Sequence, residues 1–290
     1  MTEPKAGVVV VGSLHYDLMV DAPDRPRKGE TVTGTRWYPK FGGKGGNQAV
    51  AAHHAGADTR FVGALGTDNF ADFMLEALKA QGLDTQWITK TNACGSGMSV
   101  AIMDAEGDYG AVIVTGANAV LGPDHISDES IWSGARTLIL QNEIPESANL
   151  HAAQTAKNHG MLIGLNAAPS RTLSDEFLNL VDVLVVNAIE AQDLCDVAVT
   201  DLASALSAAS ALANRVPHAI VTAGGDGVAY ASNDHKAFSI EAETVELVST
   251  HGAGDVFVGT LFAALARGTD MKTAVIQSNY AAALHVSRRA

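Results

Sequence analysis

Cysteine is scarce in this sequence of 290 residues. Cys94 and Cys195 are far apart, and neither belongs to a Cys-x-x-Cys pair or stands beside a histidine cluster. Two isolated cysteines argue against the disulfide framework of a small secreted protein and against a zinc site. The sequence therefore indicates a reducing, cytoplasmic environment.

Basic residues and long apolar runs are also few. Lysine and arginine total 19 against 32 aspartates and glutamates, which gives a formal net charge of −13. No Lys/Arg block is long enough to follow a nucleic-acid backbone. The run Val8–Val11 is too short for a signal sequence or a membrane span. We therefore expect neither nucleic acid nor membrane as a partner. A small phosphorylated ligand remains compatible, because local backbone dipoles can bind phosphate on an acidic protein.

Short apolar runs alternate with helical segments along most of the chain. Val8–Val11, which ends at Gly12, has the β-branched composition of a central parallel strand. Further strands are predicted at Thr59–Val62, Leu138–Leu140, Leu162–Leu165, Val183–Val186 and Ala219–Val221. Helices are predicted at Asn47–Ala57, Asp68–Gln81, Ser147–Asn158, Ser174–Leu180, Ala188–Asp193 and Thr200–Asn214. This alternation predicts an α/β fold, with a doubly wound, mostly parallel sheet flanked by helices.

Two regions interrupt the alternation. Residues 14–41 alternate polar and apolar residues without helical periodicity, and residues 96–116 contain a hairpin pattern with Gly107 in the turn. Both look antiparallel. We interpret them as two insertions that form a small β-sheet lid on a single domain of residues 1–290.

The stretch STHGAGDVFVG, residues 249–259, places two glycines around one alanine and then an aspartate before an apolar run. The apolar positions that follow have the spacing of one buried helix face: Val256, Phe257, Val258, Leu261, Phe262 and Leu265. Asp255 fits the first turn of a helix, where a negative charge is favoured. The glycines leave backbone N–H groups uncovered, so the stretch suits a capped helix or an anion-binding site.

A second glycine-rich stretch is FGGKGGNQ, residues 41–48. It does not match a Walker A loop, which needs glycine at 38 and Ser or Thr at 45, where Tyr38 and Gly45 stand. The dinucleotide fingerprint Gly-x-Gly-x-x-Gly is also missing after the first strand, which disfavours an NAD-dependent oxidoreductase. Two interpretations remain: close backbone approach to a small polar ligand with Lys44 and Asn47 as donors, or a flexible loop before a helix capped by Asn47.

Polar side chains follow the predicted strands, at the ends where an α/β sheet binds its ligands. After the first strand, Asp17 can accept hydrogen bonds from sugar hydroxyls and His15 can donate or accept one. A turn aspartate and a surface histidine give the same pattern. Glu143 is a further carboxylate in such a position, after Leu138–Leu140.

Two later strands also end in polar or glycine-rich segments. Asn187 and Glu190 open a helix at a spacing that suits water-coordinated Mg²⁺ with phosphates, or an N-terminal capping box. The segment TAGGDG, residues 222–227, suits a loop around ribose and phosphates, or a hairpin turn. Because several strand ends carry such residues, we expect a ligand site along that edge.

This set of motifs resembles the ribokinase-like (phosphofructokinase B) family of carbohydrate kinases over almost the whole chain. The N-terminal signature is GGKGGNQAVAAHHAGADTRFVGALGTD, residues 42–68, and the C-terminal signature is THGAGDVFVGTL, residues 250–261. Asn187-x-x-Glu190 and Thr222-x-Gly224 fall between them in the family order. VTGANAVL at 114–121 and LNAAPSRTL at 165–173 are most similar to the ribokinase branch.

The resemblance implies a kinase that uses ATP and Mg²⁺ and has a β-sheet lid. It implies that Asp255 is the general base for the sugar's primary hydroxyl, and that N–H groups around Gly252, Ala253 and Gly254 bind the transferring phosphoryl group. The matched sugar-binding positions are His15, Asp17, Gly43, Lys44, Asn47 and Glu143. The matched nucleotide-side positions are Asn187, Glu190, Thr222, Gly224, Gly227 and Asn279, with Glu190 also tied to Mg²⁺.

Three features depart from the ribokinase pattern. His15 stands where ribokinases usually carry Asn, in the sugar-contacting segment. Ser249 stands where the family usually has an Asp that helps to bind an activating monovalent cation. The sequence also ends at VSRRA, before the loop that normally completes that cation site. We therefore expect K⁺ to have a weak effect or none.

The resemblance favours phosphorylation of a small sugar, D-ribose first, to ribose 5-phosphate. Alternatives are the same chemistry on a nucleoside such as pseudouridine or on fructose or deoxyribose, and a non-catalytic sugar or nucleotide sensor. Asp255 beside an intact Gly-Ala-Gly disfavours the sensor, which has no need of a base. The resemblance also implies a homodimer through the exposed lid face, which has surplus apolar positions at Met98, Val100, Ile102, Val112 and Val114.

Overall fold

The valine-rich strand β1 (Gly7–Val11) lies inside a large sheet in a computed structural model that describes residues 6–106 and 109–287. Its other strands are β4 (Asp58–Leu65), β5 (Ile88–Lys90), β8 (Ala135–Gln141), β9 (Leu162–Asn166), β10 (Val183–Asn187), β11 (His218–Thr222), β12 (Gly227–Ser232) and β13 (Phe238–Glu241). Within the described residues the strand order is β13-β12-β11-β10-β9-β8-β1-β4-β5. Pairing is parallel except for β11–β12 and β12–β13. The prediction of a mostly parallel, doubly wound sheet is confirmed.

Helices cover both faces of this sheet. One face packs on α1 (Lys44–His54), α2 (Asn69–Ala80), α7 (Ala253–Ala266) and α8 (Met271–Val286). The other packs on α3 (Glu146–Asn158), α4 (Asp175–Leu178), α5 (Ala188–Cys195) and α6 (Leu202–Leu212). Because both faces are covered, the central strands read as continuous apolar runs rather than alternating ones. None of the helices in the described ranges is long and apolar enough to cross a membrane.

A second, smaller sheet is built from the two segments that interrupt the alternation. Its strands are β2 (His15–Asp21), β3 (Arg36–Gly42), β6 (Met98–Met103) and β7 (Tyr109–Val114), in the order β3-β2-β6-β7. We call this sheet the lid. The predicted turn at Gly107 lies outside the described residues.

Several boundaries differ from the sequence-based expectation. Helix α1 begins at Lys44, with Gly43 as its N-cap, so the expected cap Asn47 lies inside the helix instead. The hairpin β12–β13 and helix α8 were not predicted. Helix α7 is buried on most sides, and the ends of its predicted apolar face, Val256 and Leu265, are only partly buried. Such a helix lies between α1 and α8 rather than on the surface, which explains why its sequence is apolar nearly all round.

Candidate active site

Glu143, just after β8, contacts the segment that follows β1 and the beginning of α1, at the point where the strand order of the large sheet reverses. β1 lies between β8 and β4, so the ends of β1 and β8 flank the reversal, where α/β sheets bind ligands. The Ser13 hydroxyl, just after β1, donates to Glu143 Oε2, and the backbone N–H of Lys44 donates to the same oxygen at 2.9 Å. His15 Nδ1 lies 3.9 Å from that oxygen. Three of the predicted sugar-binding residues are thus brought together here.

Asp17 reaches the same region from the lid. The Ser99 hydroxyl donates to its Oδ1, and the side chain is buried. Burial raises the pKa of Asp17, while the Ser99 hydrogen bond and the nearby His15 oppose the rise. A Cβ at position 42 would lie 2.0 Å from Asp17 Oδ2, so only glycine leaves room for this carboxylate.

An open cavity of about 320 Å³ lies between the lid and the loops that follow β8 and β9. The residues that line it include His15, Ile113, Asn142, Glu143, Pro145 and Pro169. His15 is 3 % exposed, and its Nε2 is buried without a hydrogen-bond partner in the described part of the chain. A buried ring nitrogen without a partner, in the wall of a cavity, suits recognition of a ligand hydroxyl.

The glycines of residues 42–46 pack closely against protein on the side where a side chain would stand. A Cβ on Gly45 would lie 2.5 Å from Ser13 N, and one on Gly43, whose φ is +91°, would lie 2.8 Å from Leu14 Cα. The N–H groups of Gly45 and Gly46 donate to Oγ and O of Ser13 at 3.3 and 3.0 Å. The first N–H groups of α1, those of Lys44, Gly45 and Gly46, are therefore already engaged within the protein.

The beginning of α7 is different. Gly252 is its N-cap with φ 80°, and no hydrogen bond from the described residues engages the N–H of Gly254 or Asp255. A Cβ on Gly254 would meet nothing within 4 Å. A helix N-terminus with open N–H groups and free space in front of it is an anion-binding arrangement.

Asp255 is held beside that N-terminus by two amides from α1. Asn47 Nδ2 donates to its Oδ2 at 3.1 Å, and Gln48 Nε2 donates to its Oδ1 at 2.9 Å. Burial raises the pKa of Asp255. The charge of Lys44 and these two hydrogen bonds oppose the rise, and Glu143 adds to it. The carboxylate is therefore fixed in place and more basic than an exposed aspartate.

Gln48 continues the network into the sheet. Its Nε2 also donates to Asn166 Oδ1 at 3.0 Å, and its Oε1 accepts from Gln141 Nε2 at 2.8 Å. Sequence reasoning missed these three buried amides. A signal was available, since Gln141 and Asn166 are the last residues of β8 and β9 and Gln48 follows Asn47 in the motif.

Asn187 and Glu190 form the capping box of α5. Asn187 Oδ1 accepts from Glu190 N, and Glu190 Oε2 accepts from Asn187 N, both at 2.9 Å. Burial raises the pKa of Glu190, while Asn187 N–H and the nearby Lys44 lower it. Glu190 Oε1 takes part in none of the hydrogen bonds of the described chain and remains available. The capping interpretation is confirmed, and it leaves one hard oxygen free for a hydrated cation.

The other predicted nucleotide-side residues lie at the same edge of the sheet. Thr222 ends β11 opposite Asn187, and its hydroxyl donates to Val186 O at 3.3 Å. Gly224 and Gly227 flank the turn from β11 to β12, and Gly227, at φ +123°, has no room for a Cβ against Ile240 O. Asn279 Nδ2 donates to Glu241 O, at the end of β13, at 2.9 Å. These residues therefore stabilise the turn between β11 and β12 and the adjoining edge of the sheet, and they also lie along that edge.

No group of three His, Cys, Asp or Glu side chains within residues 6–106 and 109–287 is placed to hold a metal by itself. A divalent cation at this edge therefore depends on oxygens from a ligand as well as on Glu190. This donor set fits Mg²⁺, which keeps much of its water and is commonly shared between one carboxylate and phosphates.

The comparisons with known proteins agree with this geometry. The model of the pfkB family of carbohydrate kinases matches residues 5–290. The chain is 36% identical to a ribokinase of Bacillus subtilis over 96% of this chain and 92% of that protein, and 33% identical to a ribokinase of Haemophilus influenzae over 97% and 92%. The structure of Arabidopsis thaliana ribokinase complexed with ribose and ATP superimposes with a TM-score of 0.90 at 28% identity, covering 99% of this chain and 94% of that one.

The match extends over nearly the whole chain and includes both glycine-rich segments, the lid and the edge that carries Asp255. The protein belongs to the pfkB family of carbohydrate kinases and is an ATP-dependent phosphotransferase.

Proposed function

We propose that this kinase transfers the γ-phosphoryl group of ATP to the primary hydroxyl of D-ribose and produces ribose 5-phosphate. The observation that carries the proposal is the position of Asp255, whose carboxylate is held by Asn47 and Gln48 in the first turn of α7, beside the open N–H group of Gly254. The similarity to ribokinases over nearly the full length supports ribose as the acceptor.

The acceptor is held by the residues that surround the cavity. Asp17 and Glu143 accept hydrogen bonds from sugar hydroxyls, and His15 Nε2 pairs with a further hydroxyl. Gly43, Lys44 and Asn47 complete this side of the site. Asp255 then accepts the proton of the primary hydroxyl as its oxygen bonds to phosphorus.

The backbone of residues 252–254 stabilises the charge that develops on the transferring group. The N–H groups at Gly252 and Gly254 bind the phosphoryl oxygens in this proposal, and that of Ala253 joins them in place of its long contact to Thr250 O at 3.4 Å. Phosphoryl transfer depends mainly on such positioning and charge stabilisation, with little covalent chemistry for the protein to perform.

The nucleotide lies along the edge formed by the ends of β10, β11 and β13. Asn187, Thr222, Gly224, Gly227 and Asn279 face it, and Glu190 would hold Mg²⁺. When bound, Mg²⁺ neutralises charge on the phosphates.

The test is transfer from ATP with Mg²⁺ to a panel of ribose, deoxyribose, fructose, pseudouridine and common nucleosides, with Asp255→Asn beside the wild type. Turnover of ribose that the variant lacks supports both the substrate and the base. Turnover of a nucleoside or another sugar alone replaces ribose but keeps the mechanism. Ligand binding without any turnover contradicts the catalytic assignment.

We also propose that the protein is a homodimer that pairs through the outer face of the lid. Met98, Val100, Ile102, Val112 and Val114 lie on that face by strand alternation, and Val112 and Val114 are 69% and 52% exposed. Exposed apolar patches of this kind mark interaction surfaces. Sedimentation of Val112→Lys tests the proposal, because a dimeric wild type and a monomeric variant are expected, and a monomeric wild type contradicts it.

A further inference from the structure

The last turn of α8 holds the segment that leads into α7. The backbone N–H groups of Val248 and Ser249 donate to Val286 O at 2.8 and 3.2 Å. His285, the residue before Val286, reaches further along the segment, and its Nε2 lies 3.0 Å from His251 O. A carbonyl oxygen can only accept a hydrogen bond, so Nε2 carries the proton and donates it. Within the described chain, this is the one hydrogen bond that the carbonyl of His251 accepts.

This hydrogen bond fixes the direction of the peptide that enters α7. The peptide bond between His251 and Gly252 is trans, so its C=O and N–H groups point in opposite directions. Because the oxygen is held toward His285, the N–H of Gly252 points away from α8. That N–H donates to no described residue, and Gly252 is the N-cap of the helix that carries the open N–H of Gly254. The orientation of one peptide therefore decides whether Gly252 presents its N–H together with Gly254.

The backbone at Gly252 does not select this orientation by itself. Its φ is +80°, and rotation of the preceding peptide would reverse both groups and bring this φ to a negative value. Glycine adopts both signs of φ about equally readily. The hydrogen bond from His285 distinguishes the two orientations, because it forms only when the carbonyl of His251 faces α8. The imidazole also lies directly against the turn, since a Cβ on Gly252 would be 3.2 Å from His285 Nε2.

We propose that His285 is a positioning residue for phosphoryl transfer. By holding the carbonyl of His251, it keeps the N–H of Gly252 directed at the transferring phosphoryl group, where that N–H acts with the N–H of Gly254. His285 itself contacts protein and not substrate. The inference rests on the phosphoryl transfer proposed above, and it adds a residue that lies outside both glycine-rich segments, at the far end of α8.

The first arm of the test measures kcat and KM with the acceptor that the panel above shows to react. His285→Leu removes the donor, whereas His285→Gln keeps an N–H donor, because its Nε2 is as many bonds from Cα as Nε2 of histidine. His285→Leu is expected to lower kcat by about 10-fold and to leave the KM for the acceptor unchanged, since only the transferring group loses a donor. His285→Gln is expected to retain most of kcat. Gln277→Leu, exposed on the same helix, is the control and is expected to change neither value.

The second arm needs no acceptor, so failure of ribose to react contradicts the proposed substrate but leaves this arm intact. Calorimetry with Mg²⁺ compares a non-hydrolysable ATP analogue with ADP, which lacks the γ-phosphoryl group. His285→Leu is expected to weaken binding of the analogue by about 5-fold and to leave the ADP affinity within about 2-fold.

Two results overturn the proposal. In the first, kcat and the analogue affinity of His285→Leu both stay within about 2-fold of the wild type. In the second, the loss affects ADP as much as the analogue and His285→Gln does not restore it, which shows a general disturbance at the end of α8.

Discussion

Gln48 donates a hydrogen bond from its side-chain amide to Oδ1 of Asp255 at 2.9 Å, while its neighbour Asn47 donates to Oδ2 at 3.1 Å. Two consecutive residues of α1 therefore hold both oxygens of one carboxylate on α7. The orientation of Asp255 therefore depends on the packing of α1 against α7. That packing depends in turn on the glycines of residues 42–46, whose close contacts with the rest of the protein allow α1 to begin at Lys44. The position of the proposed base is therefore a property of the fold as much as of the motif.

As the proposed general base, Asp255 accepts a proton only when it is ionised, so the activity is expected to fall at low pH. Burial raises the pKa of Asp255 above its ordinary 3.8, so the midpoint of the acid limb of kcat lies above 3.8. The same shift affects stability. The neutral carboxyl contributes fully below pH 3.8, and its contribution is lost as the pH rises through the raised pKa. A pH profile of kcat measures the first effect, and Asp255→Asn is expected to lower kcat by about 10²–10⁴-fold. An acid limb unchanged in residual Asp255→Asn activity contradicts the assignment.

Gln48→Leu is expected to move the acid limb of kcat to higher pH. The hydrogen bond from Gln48 favours the ionised form of Asp255, so its loss lets the raising effect of burial act with less opposition. The change also removes the buried partner of Gln141 Nε2 and of Asn166 Oδ1, at a cost of about 1–3 kcal/mol in the free energy of unfolding. Gln154→Leu, on the exposed side of α3, serves as the control for both measurements. A loss of stability without movement of the pH profile shows that Gln48 is structural only.

His15→Leu is expected to raise the KM for the acceptor by about 10-fold and to leave the KM for ATP unchanged. His15 lines the cavity between the lid and the loops that follow β8 and β9, away from the ends of β10, β11 and β13 where the nucleotide is proposed to bind. Its buried Nε2 has no protein partner among the described residues. His151→Leu, exposed on α3, is the matched control. Equal changes in both KM values indicate a general disturbance of the site and oppose a role in acceptor recognition.

We expect the activity to respond weakly or not at all to K⁺. Ser249 provides no carboxylate to bind a cation. The carbonyl oxygen of Val286, beside this segment, is already engaged, because it accepts hydrogen bonds from the N–H groups of Val248 and Ser249 at 2.8 and 3.2 Å. A titration of the initial rate with KCl, against choline chloride at equal ionic strength, measures the effect. Strong dependence on K⁺ alone refutes the expectation.

The strand-end residues were predictable because one rule places them. In a parallel sheet all carboxyl ends meet at one edge, so the ends of β1, β8, β10 and β11 come together without any knowledge of side-chain contacts. His15, Glu143, Asn187 and Thr222 were found this way. The antiparallel hairpin β12–β13 was missed because Val228 and Ile240 stand in short segments with no distinctive pattern.

The role of each glycine was not predictable from the sequence. Gly45 and Gly254 both belong to glycine-rich segments before apolar helices, and nothing in the local pattern separates them. Only the tertiary structure shows that Gly45 contacts the backbone at Ser13 while Gly254 faces open space. The buried amides of Gln48, Gln141 and Asn166 were missed for the same reason, since their partners are remote in sequence.

These two glycines give opposite predictions for the same substitution. Gly45→Ala forces a Cβ to within 2.5 Å of Ser13 N, and the backbone shift this requires is expected to cost about 1–3 kcal/mol in the free energy of unfolding. Gly254→Ala meets no protein atom, and alanine in a helix is expected to gain about 0.5–1 kcal/mol. Its methyl group, however, stands where the phosphoryl group must approach the N–H groups of α7, so kcat is expected to fall by about 10²-fold. Thermal unfolding and kcat, measured on both variants, separate fold from function. If Gly254→Ala is stable and fully active, the phosphoryl group does not bind at the start of α7.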